Sequence, residues 1–202
     1  MALAEQLLPL EAEYDLRPGF AGPVPAEQFE RWPQEPARPF ELVEGWVVPM
    51  SPGTVPTGAA LVSLISVLAP LAQKRGWQLL ADARHRLPAP PQTVLFPDLA
   101  LHCTGEGLTT SAEGTALRPP ELVIELLSPE TAERDRGPFG AKFLAYQMSG
   151  VREYFYGLPG GDEAAGFVLD SGVYRRLEPD AEGYFPSQVL AAALRLAPAG
   201  LR

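Results

Sequence analysis

The spacing of apolar residues along the chain predicts a mixed β-sheet flanked by helices, which is an α/β fold. Residues 95–101 and 121–127 are short runs rich in Val, Ile, Leu and Phe, as is typical of strands buried on both faces of a sheet. In residues 57–75, apolar side chains recur at spacings of three and four, and Gly76 follows. This pattern predicts a long helix whose apolar face packs on the sheet.

Shorter segments complete the predicted fold. Residues 40–43 and 46–48 flank Glu44-Gly45 and predict a hairpin, because glycine tolerates the positive φ that a two-residue turn requires. Residues 165–169 and 173–177 predict a second hairpin. The other predicted elements are helices over residues 26–32, 138–149 and 186–194, and strands over residues 77–80, 84–87 and 153–158.

Length and composition are those of an ordinary soluble globular protein. The chain has 202 residues, and we expect one domain, residues 26–178, between an N-terminal arm (1–25) and a C-terminal tail (179–202). The single cysteine, Cys103, excludes an internal disulfide and fits a reducing cytosol. We expect no signal peptide and no stretch long enough to span a membrane. These features predict a cytoplasmic protein.

In the interior of each of the two apolar runs, one acidic residue stands where the pattern calls for an apolar side chain. These residues are Asp98 and Glu125. A buried carboxylate costs several kcal/mol unless it has a cation, a set of hydrogen-bond donors or a raised pKa. If the two runs form neighbouring strands, the two side chains offer a divalent metal ion a pair of hard oxygen ligands.

Short motifs occur in a fixed order through most of the chain. They are FELVEG (residues 40–45), MSP (50–52), PDL (97–99), LVIELLSPET (122–131), RDRG (134–137), Lys142, Tyr146 and GVREYF (150–155). In this order they resemble the bacterial "putative restriction endonuclease" family of the PD-(D/E)xK nuclease superfamily. The resemblance implies a restriction-endonuclease-like fold and a nuclease that hydrolyses phosphodiester bonds. It also implies DNA as the substrate and Mg²⁺ or Mn²⁺ as the cofactor.

The resemblance further implies roles for individual residues. Asp98 and Glu125 would hold the metal ion, and Lys142 would contact the attacking water or the scissile phosphate. The lysine that usually follows the glutamate by two residues is Leu127 here, and Lys142 takes its place on the next helix. Only two of the 16 basic residues are lysines, which favours a chemical role for Lys142, since an ammonium group differs from a guanidinium. The alternative is an ordinary solvated lysine.

Four further residues are candidates for the site. Glu41, in the first predicted hairpin, is either a solvent-facing carboxylate or a third acidic group at the metal ion. Arg134 and Arg136 either belong to a salt-bridged turn or contact substrate phosphates. Tyr146 follows Lys142 by four residues on the same helix face, and we regard it as a candidate substrate-binding residue.

Two observations favour a different function on the same scaffold. The net charge of −9 opposes contact with a phosphate backbone, which usually requires a basic face. Related sequences carry a His-Gln pair near the start of the long helix, where this chain has Gly58-Ala59. The alternative is a catalytically idle module that binds nucleic acid or a protein partner; a homodimer is also left open. His85 and His102 have no neighbour at metal-ligand spacing, so we assign both to structure or surface.

Overall fold

The computed structural model of the protein describes residues 23–32, 40–50, 53–90, 92–103, 107–128, 140–159 and 163–202. Its helices are α1 (Ala26–Glu30), α2 (Val55–Arg75) and α3 (Ala141–Met148). Its strands are β1 (Phe40–Val43), β2 (Trp46–Pro49), β3 (Gln78–Ala81), β4 (His85–Leu87), β5 (Thr93–Leu95), β6 (Leu99–His102), β7 (Leu122–Leu126), β8 (Glu153–Gly157), β9 (Ala164–Asp170), β10 (Val173–Leu177), β11 (Phe185–Ser187), β12 (Ala192–Leu196) and β13 (Ala199–Leu201). The mixed α/β fold predicted from the sequence is confirmed.

The main sheet has six strands in the order β10-β9-β8-β7-β6-β3. Strands β7 and β8 run parallel, and the other pairs are antiparallel. Along β7, Ile124 and its alternate neighbours join the core that contains α2, whereas Val123 joins the core that contains α3. Side chains alternate between the two faces of a strand. Glu125 therefore points to the face on which α3 lies.

Helix α2 packs on the main sheet as predicted, through Leu64, Leu68 and Ala72. It ends at Gly76, which has a φ of 66° in the left-handed region that glycine readily adopts. With 21 residues and a mean hydropathy of 1.9, α2 is long and apolar enough to cross a membrane, judged by length and composition only. The expectation that no stretch reaches that length is therefore wrong. One face of α2 packs on the main sheet, and 17% of its most apolar 18-residue stretch is buried.

A second sheet has four strands in the order β2-β1-β5-β4. The predicted hairpin over residues 40–50 forms β1 and β2, and both turn residues have positive φ, 52° at Glu44 and 86° at Gly45. A Cβ atom on Gly45 would lie 2.2 Å from the side chain of Pro23, so only glycine fits there. The predicted hairpin of β9 and β10 is also present, around Ser171-Gly172.

The apolar run over residues 95–101 is not a single strand. Leu95 ends β5 in the four-stranded sheet, and Leu99 begins β6 in the six-stranded sheet. Proline has no N–H to donate and restricts the residue before it, so Pro97 ends one ladder before the next begins. The prediction of one continuous strand was wrong. The short link brings the two sheets together beside Asp98.

The C-terminal segment forms strands where a helix was predicted over residues 186–194. Strands β11, β12 and β13 make a three-stranded antiparallel sheet that packs against α2. The buried carboxylate of Glu153 fixes the turn after β11, because it accepts hydrogen bonds from Ser187 Oγ, Gln188 N at 2.6 Å and Val189 N at 3.1 Å. This distant partner outweighs local propensity. The domain boundaries at residues 25 and 178 stay predictions.

Helix α3 begins later than predicted. Gly140 is extended, with φ −66° and ψ 139°, and Ala141 is the first helical residue. The predicted start, Pro138, lies outside the described residues. Lys142 is consequently in the first turn of α3.

Two buried histidines join the sheets. His85 on β4 and His102 on β6 have nearly parallel rings, 6° apart, with 3.0 Å between their Nε2 atoms. His85 Nδ1 lies 2.8 Å from the carbonyl oxygen of Ala83, which can only accept, so Nδ1 carries the proton. Nε2 of a neutral His85 then accepts a hydrogen bond from His102. Both residues are structural, in agreement with their sequence assignment.

We expect acid to weaken this inter-sheet contact. Burial, and then the neighbouring His85, lower the pKa of His102 to about 4. A base whose folded pKa is depressed contributes stability above its unfolded pKa of about 6.5, and this stability is lost as the pH falls towards 4. The variant His102→Phe should be less stable than the wild type at pH 7. On acidification, its free energy of unfolding should fall less than that of the wild type, and the difference should reach about 3 kcal/mol. Urea unfolding at pH 7, 5.5 and 4 measures the difference, and parallel pH profiles would contradict it.

Candidate active site

The candidate site lies at the edge of the main sheet where β6 begins and β7 ends. The antiparallel register pairs Leu99 with Ile124, so the next pair along the ladder is Asp98 and Glu125. Asp98 Oδ2 accepts a hydrogen bond of 2.6 Å from the backbone N–H of Leu126. The two carboxyl groups are therefore at the same end of neighbouring strands, and the backbone holds one of them in place.

Helix α3 covers Glu125 with two side chains. Lys142 Nζ lies 3.3 Å from each oxygen of Glu125. Tyr146, one turn further along, donates a hydrogen bond of 2.6 Å from its hydroxyl to Glu125 Oε1. Exposure is 3% for Glu125, 7% for Lys142 and 0% for Tyr146. The spacing of four residues thus aims both donors at one buried carboxylate.

The second sheet contributes Glu41 from β1. Its Oε1 lies 2.9 Å from Lys142 Nζ and accepts a hydrogen bond of 3.0 Å from the backbone N–H of Phe96. Glu41 is only 2% exposed, so the solvent-facing alternative for this residue is wrong. The structure brings Glu41, Glu125 and Lys142 into direct contact across the two sheets.

A fourth carboxyl group, Asp82, was not found by sequence reasoning. Antiparallel pairing of Ala81 with Leu99 places it opposite Asp98, and the Asp82 N–H lies 3.3 Å from the carbonyl oxygen of Asp98. Acidic residues are common at strand ends, so the residue type alone carried no signal. Only the pairing of β3 with β6 could have indicated its position.

The site is rich in carboxyl groups, and three of them have raised pKa values. Burial chiefly raises the pKa of Glu125, with further increases from Asp98 and Glu41, whereas Lys142 opposes the shift. The pKa values of Asp98 and Asp82 are also raised, first by burial and then by neighbouring carboxylates. Among the described residues the cluster combines four carboxyl groups with one ammonium group. A second cation would relieve the remaining repulsion.

The other predicted site residues stand as follows. Arg134 and Arg136 lie outside the described residues. Tyr146 contacts Glu125 and has no exposed surface, so its predicted substrate contact stays a prediction, and the observed geometry favours support of Glu125.

The described residues offer a metal ion few protein ligands at this site. In the part of the chain that the structure describes, no group of three or more His, Cys, Asp or Glu residues could hold a metal ion. Asp98 and Glu125 still provide two carboxylates at one sheet edge. Mg²⁺ commonly binds through one or two carboxylates and completes its octahedron with water and substrate phosphates, so this pair fits such an ion.

Two comparisons with known proteins show the fold and the family of the chain. A crystal structure of "a putative nuclease belonging to DUF820" from Anabaena variabilis ATCC 29413 matches with a TM-score of 0.65 and 16% sequence identity, over 87% of this chain and 97% of that chain. The chain therefore has the same mixed α/β fold as that protein. A family model, "Uma2: Putative restriction endonuclease", matches residues 26–199. The chain belongs to this Uma2 family. None of the curated proteins matches it.

The buried ammonium group of Lys142 should be important for stability. Lys142→Met would leave Glu41 and Glu125 buried without their counter-charge, which typically costs 3–5 kcal/mol, here taken as about 4 kcal/mol. The matched control is Lys74→Met at the exposed end of α2, where we expect a change within about 0.5 kcal/mol. Urea unfolding of the metal-free proteins at pH 7 compares them. Equal stability of the two variants would contradict the ion-pair geometry.

Proposed function

We propose that the protein is a metal-dependent nuclease that hydrolyses phosphodiester bonds, with DNA as its substrate and Mg²⁺ or Mn²⁺ as its cofactor. The observation that carries the proposal is that Asp98 and Glu125 lie opposite each other at one sheet edge and that Lys142 contacts Glu125 there. Membership of the Uma2 family supports the reaction class. The hard carboxylate oxygens favour Mg²⁺ or Mn²⁺ over softer metals.

Within this proposal, each residue of the candidate site has its own role. Asp98 and Glu125 bind the divalent ion, which when bound neutralises developing charge and lowers the pKa of a water. The hydrogen bond from Leu126 fixes Asp98, and the Tyr146 hydroxyl fixes Glu125. Lys142 contributes a positive charge to hold the scissile phosphate or the attacking water.

Within the proposal, contact with the rest of the substrate is assigned to two arginines that lie outside the described residues. Arg134 and Arg136 would bind substrate phosphates, since guanidinium groups match phosphate geometry. These local charges would offset the net charge of −9. A strong dependence of binding on salt concentration would accompany such contacts.

A catalytically idle module is the second candidate function. Gly58-Ala59 at the start of α2, in place of a His-Gln pair, and the negative net charge favour it. Such a module would bind nucleic acid or a protein partner without cleaving it. Cleavage assays therefore separate the two candidates.

Metal binding should raise the melting temperature of the protein. A ligand that binds only the folded state stabilises it by about 2.7 kcal/mol at a concentration of 100 times Kd. Asp98→Asn should remove the Mg²⁺- or Mn²⁺-induced shift while the variant still folds. Thermal unfolding with increasing metal concentration provides the measurement. Equal shifts in the wild type and the variant would show that the metal ion binds elsewhere.

Cleavage should depend on Lys142. The wild type is assayed with Mg²⁺ or Mn²⁺ on single- and double-stranded DNA and on RNA, under conditions where circular dichroism shows each variant to be folded. Loss of one positioned electrostatic contact costs on the order of a hundredfold in rate, so Lys142→Ala should lower cleavage by about that factor. Lys142→Arg should restore little activity, because a planar guanidinium cannot replace a compact ammonium. No cleavage by the wild type under any condition would favour the idle module.

A further inference from the structure

Trp46 is an aromatic side chain that the fold leaves largely uncovered. It is 55% exposed, and among the described residues with large, exposed apolar side chains it alone is aromatic. Trp32 and Trp77, by contrast, each lie against a neighbouring ring or guanidinium group. An aromatic side chain buries about 150–250 Å² when it is covered, so the chain forgoes a large stabilisation at Trp46. The exposure of this ring points to a role outside the folding of the chain.

The turn that presents Trp46 is held by backbone hydrogen bonds. The N–H of Gly45 donates to the carbonyl oxygen of Gln92 at 2.8 Å, and the carbonyl oxygen of Gly45 accepts from the N–H of Val24 at 2.8 Å. Trp46 directly follows this turn and begins β2. A side chain on an anchored backbone loses less conformational freedom when it binds a ligand than one on a loose loop. Trp46 is therefore preorganised for contact with a partner molecule.

The Trp46 side chain lies on the face of the four-stranded sheet that carries Glu41. Across the ladder of β1 and β2, Trp46 pairs with Val43 and Val48 pairs with Glu41. Directly opposite residues share a face, as do residues two apart on one strand. Val43 accordingly packs against the core that contains α3, and Lys142 of α3 contacts Glu41. Trp46 is thus on the same side of the sheet as the candidate site, about 7 Å along the ladder from Glu41.

The strand that carries Trp46 is uncharged although the neighbouring site is acidic. Residues 46–50, Trp-Val-Val-Pro-Met, contain no ionisable side chain. Carboxylates repel a nucleic acid through its phosphates, but the bases are neutral and have flat faces. Stacking of a base on an aromatic ring stabilises a complex without any charge on the protein. Trp46 therefore offers a chain with a net charge of −9 a contact that does not require a basic surface.

The free edge of β2 is poorly suited to a protein partner that adds a strand. Among the described residues β2 is an edge strand of the four-stranded sheet, and it has four residues, of which the last is Pro49. Proline has no N–H to donate, and a short edge strand offers few unpaired groups, so both features oppose pairing with another chain. A flat ring at such an edge fits a planar ligand better than a further strand.

We propose that Trp46 is a substrate-binding residue on which one unpaired nucleobase stacks, beside the nucleotide whose phosphate Lys142 would contact. The inference rests on the nucleic-acid binding that the proposed function requires, and it specifies the substrate class as single-stranded or locally unpaired nucleic acid. Bases inside an intact duplex stack on one another, so their faces are not available to Trp46.

Binding assays with three matched ligands test this proposal. Fluorescein-labelled oligothymidylate, its duplex with oligoadenylate, and an abasic chain of the same length are titrated with protein, and fluorescence anisotropy reports binding. Ca²⁺ replaces Mg²⁺, and gel electrophoresis checks that each ligand stays intact. The variants are Trp46→Leu and Trp46→Tyr. The matched control is Val173→Ala, at a residue that is 59% exposed on the hairpin of β9 and β10.

The expected result is a loss of affinity that depends on unpaired bases. Trp46→Leu should weaken binding of oligothymidylate about tenfold, as expected for the loss of one stacked base. Trp46→Tyr should retain most of the affinity, because tyrosine keeps an aromatic face. The duplex and the abasic chain should each bind the wild type and Trp46→Leu equally, since neither offers an unpaired base. Val173→Ala should bind all three ligands as the wild type does.

Four results would overturn the inference. The first is equal affinity of the wild type and Trp46→Leu for oligothymidylate, and the second is no binding of oligothymidylate by the wild type. The third is an equal loss of affinity for the abasic chain, which would show that Trp46 does not act by stacking on a base. The fourth is a smaller sedimentation coefficient for Trp46→Leu, which would assign Trp46 to an interface between two copies of the chain.

Failure of the inference and failure of the proposed function give different results. Binding of oligothymidylate that depends on Trp46, by a protein that cleaves no nucleic acid, would support the inference and refute the nuclease. Cleavage of DNA by a protein whose binding does not depend on Trp46 would support the nuclease and refute the inference.

Discussion

The buried ion-pair cluster of Lys142 with Glu41 and Glu125 is the interaction on which the rest of the candidate site depends. A buried ammonium and two buried carboxylates are each unfavourable alone, so each requires the others. Because Glu41 comes from one sheet, Glu125 from the other and Lys142 from α3, the cluster also sets how these three elements lie relative to one another. Stability and chemistry are therefore coupled at this point.

The same cluster explains how a chain of net negative charge could act on a negatively charged polymer. The described part of the site has more carboxyl groups than cations, and burial, with a smaller contribution from repulsion by neighbouring carboxylates, raises the pKa values of Asp98 and Glu125. An approaching phosphate would meet the same repulsion. A divalent ion at the carboxylates would reduce the local negative charge, so affinity for the metal ion and for the substrate would be linked.

Much of this arrangement was predictable from the sequence because it depends on short periodicities. Alternation along β7 places Glu125 on the face opposite Ile124, and the spacing of Lys142 and Tyr146 places both on one side of α3. The break at Pro97, the position of Asp82 and the strands after residue 184 were not predicted. Each depends on a partner distant in sequence, such as Leu99 for the register of β3 or Glu153 for the turn after β11. Local sequence patterns do not indicate such distant contacts.

The link from Leu95 to Leu99 gives the site a particular vulnerability. Asp98 belongs to the edge of the six-stranded sheet, but Glu41 and the residues just before Pro97 belong to the four-stranded sheet. A local opening of the smaller sheet would separate Glu41 from Lys142 and free the residues before Asp98, while the larger sheet could stay folded. The site would then be disrupted at a temperature or denaturant concentration set by the free energy of that partial opening. The global stability of the chain would not determine it.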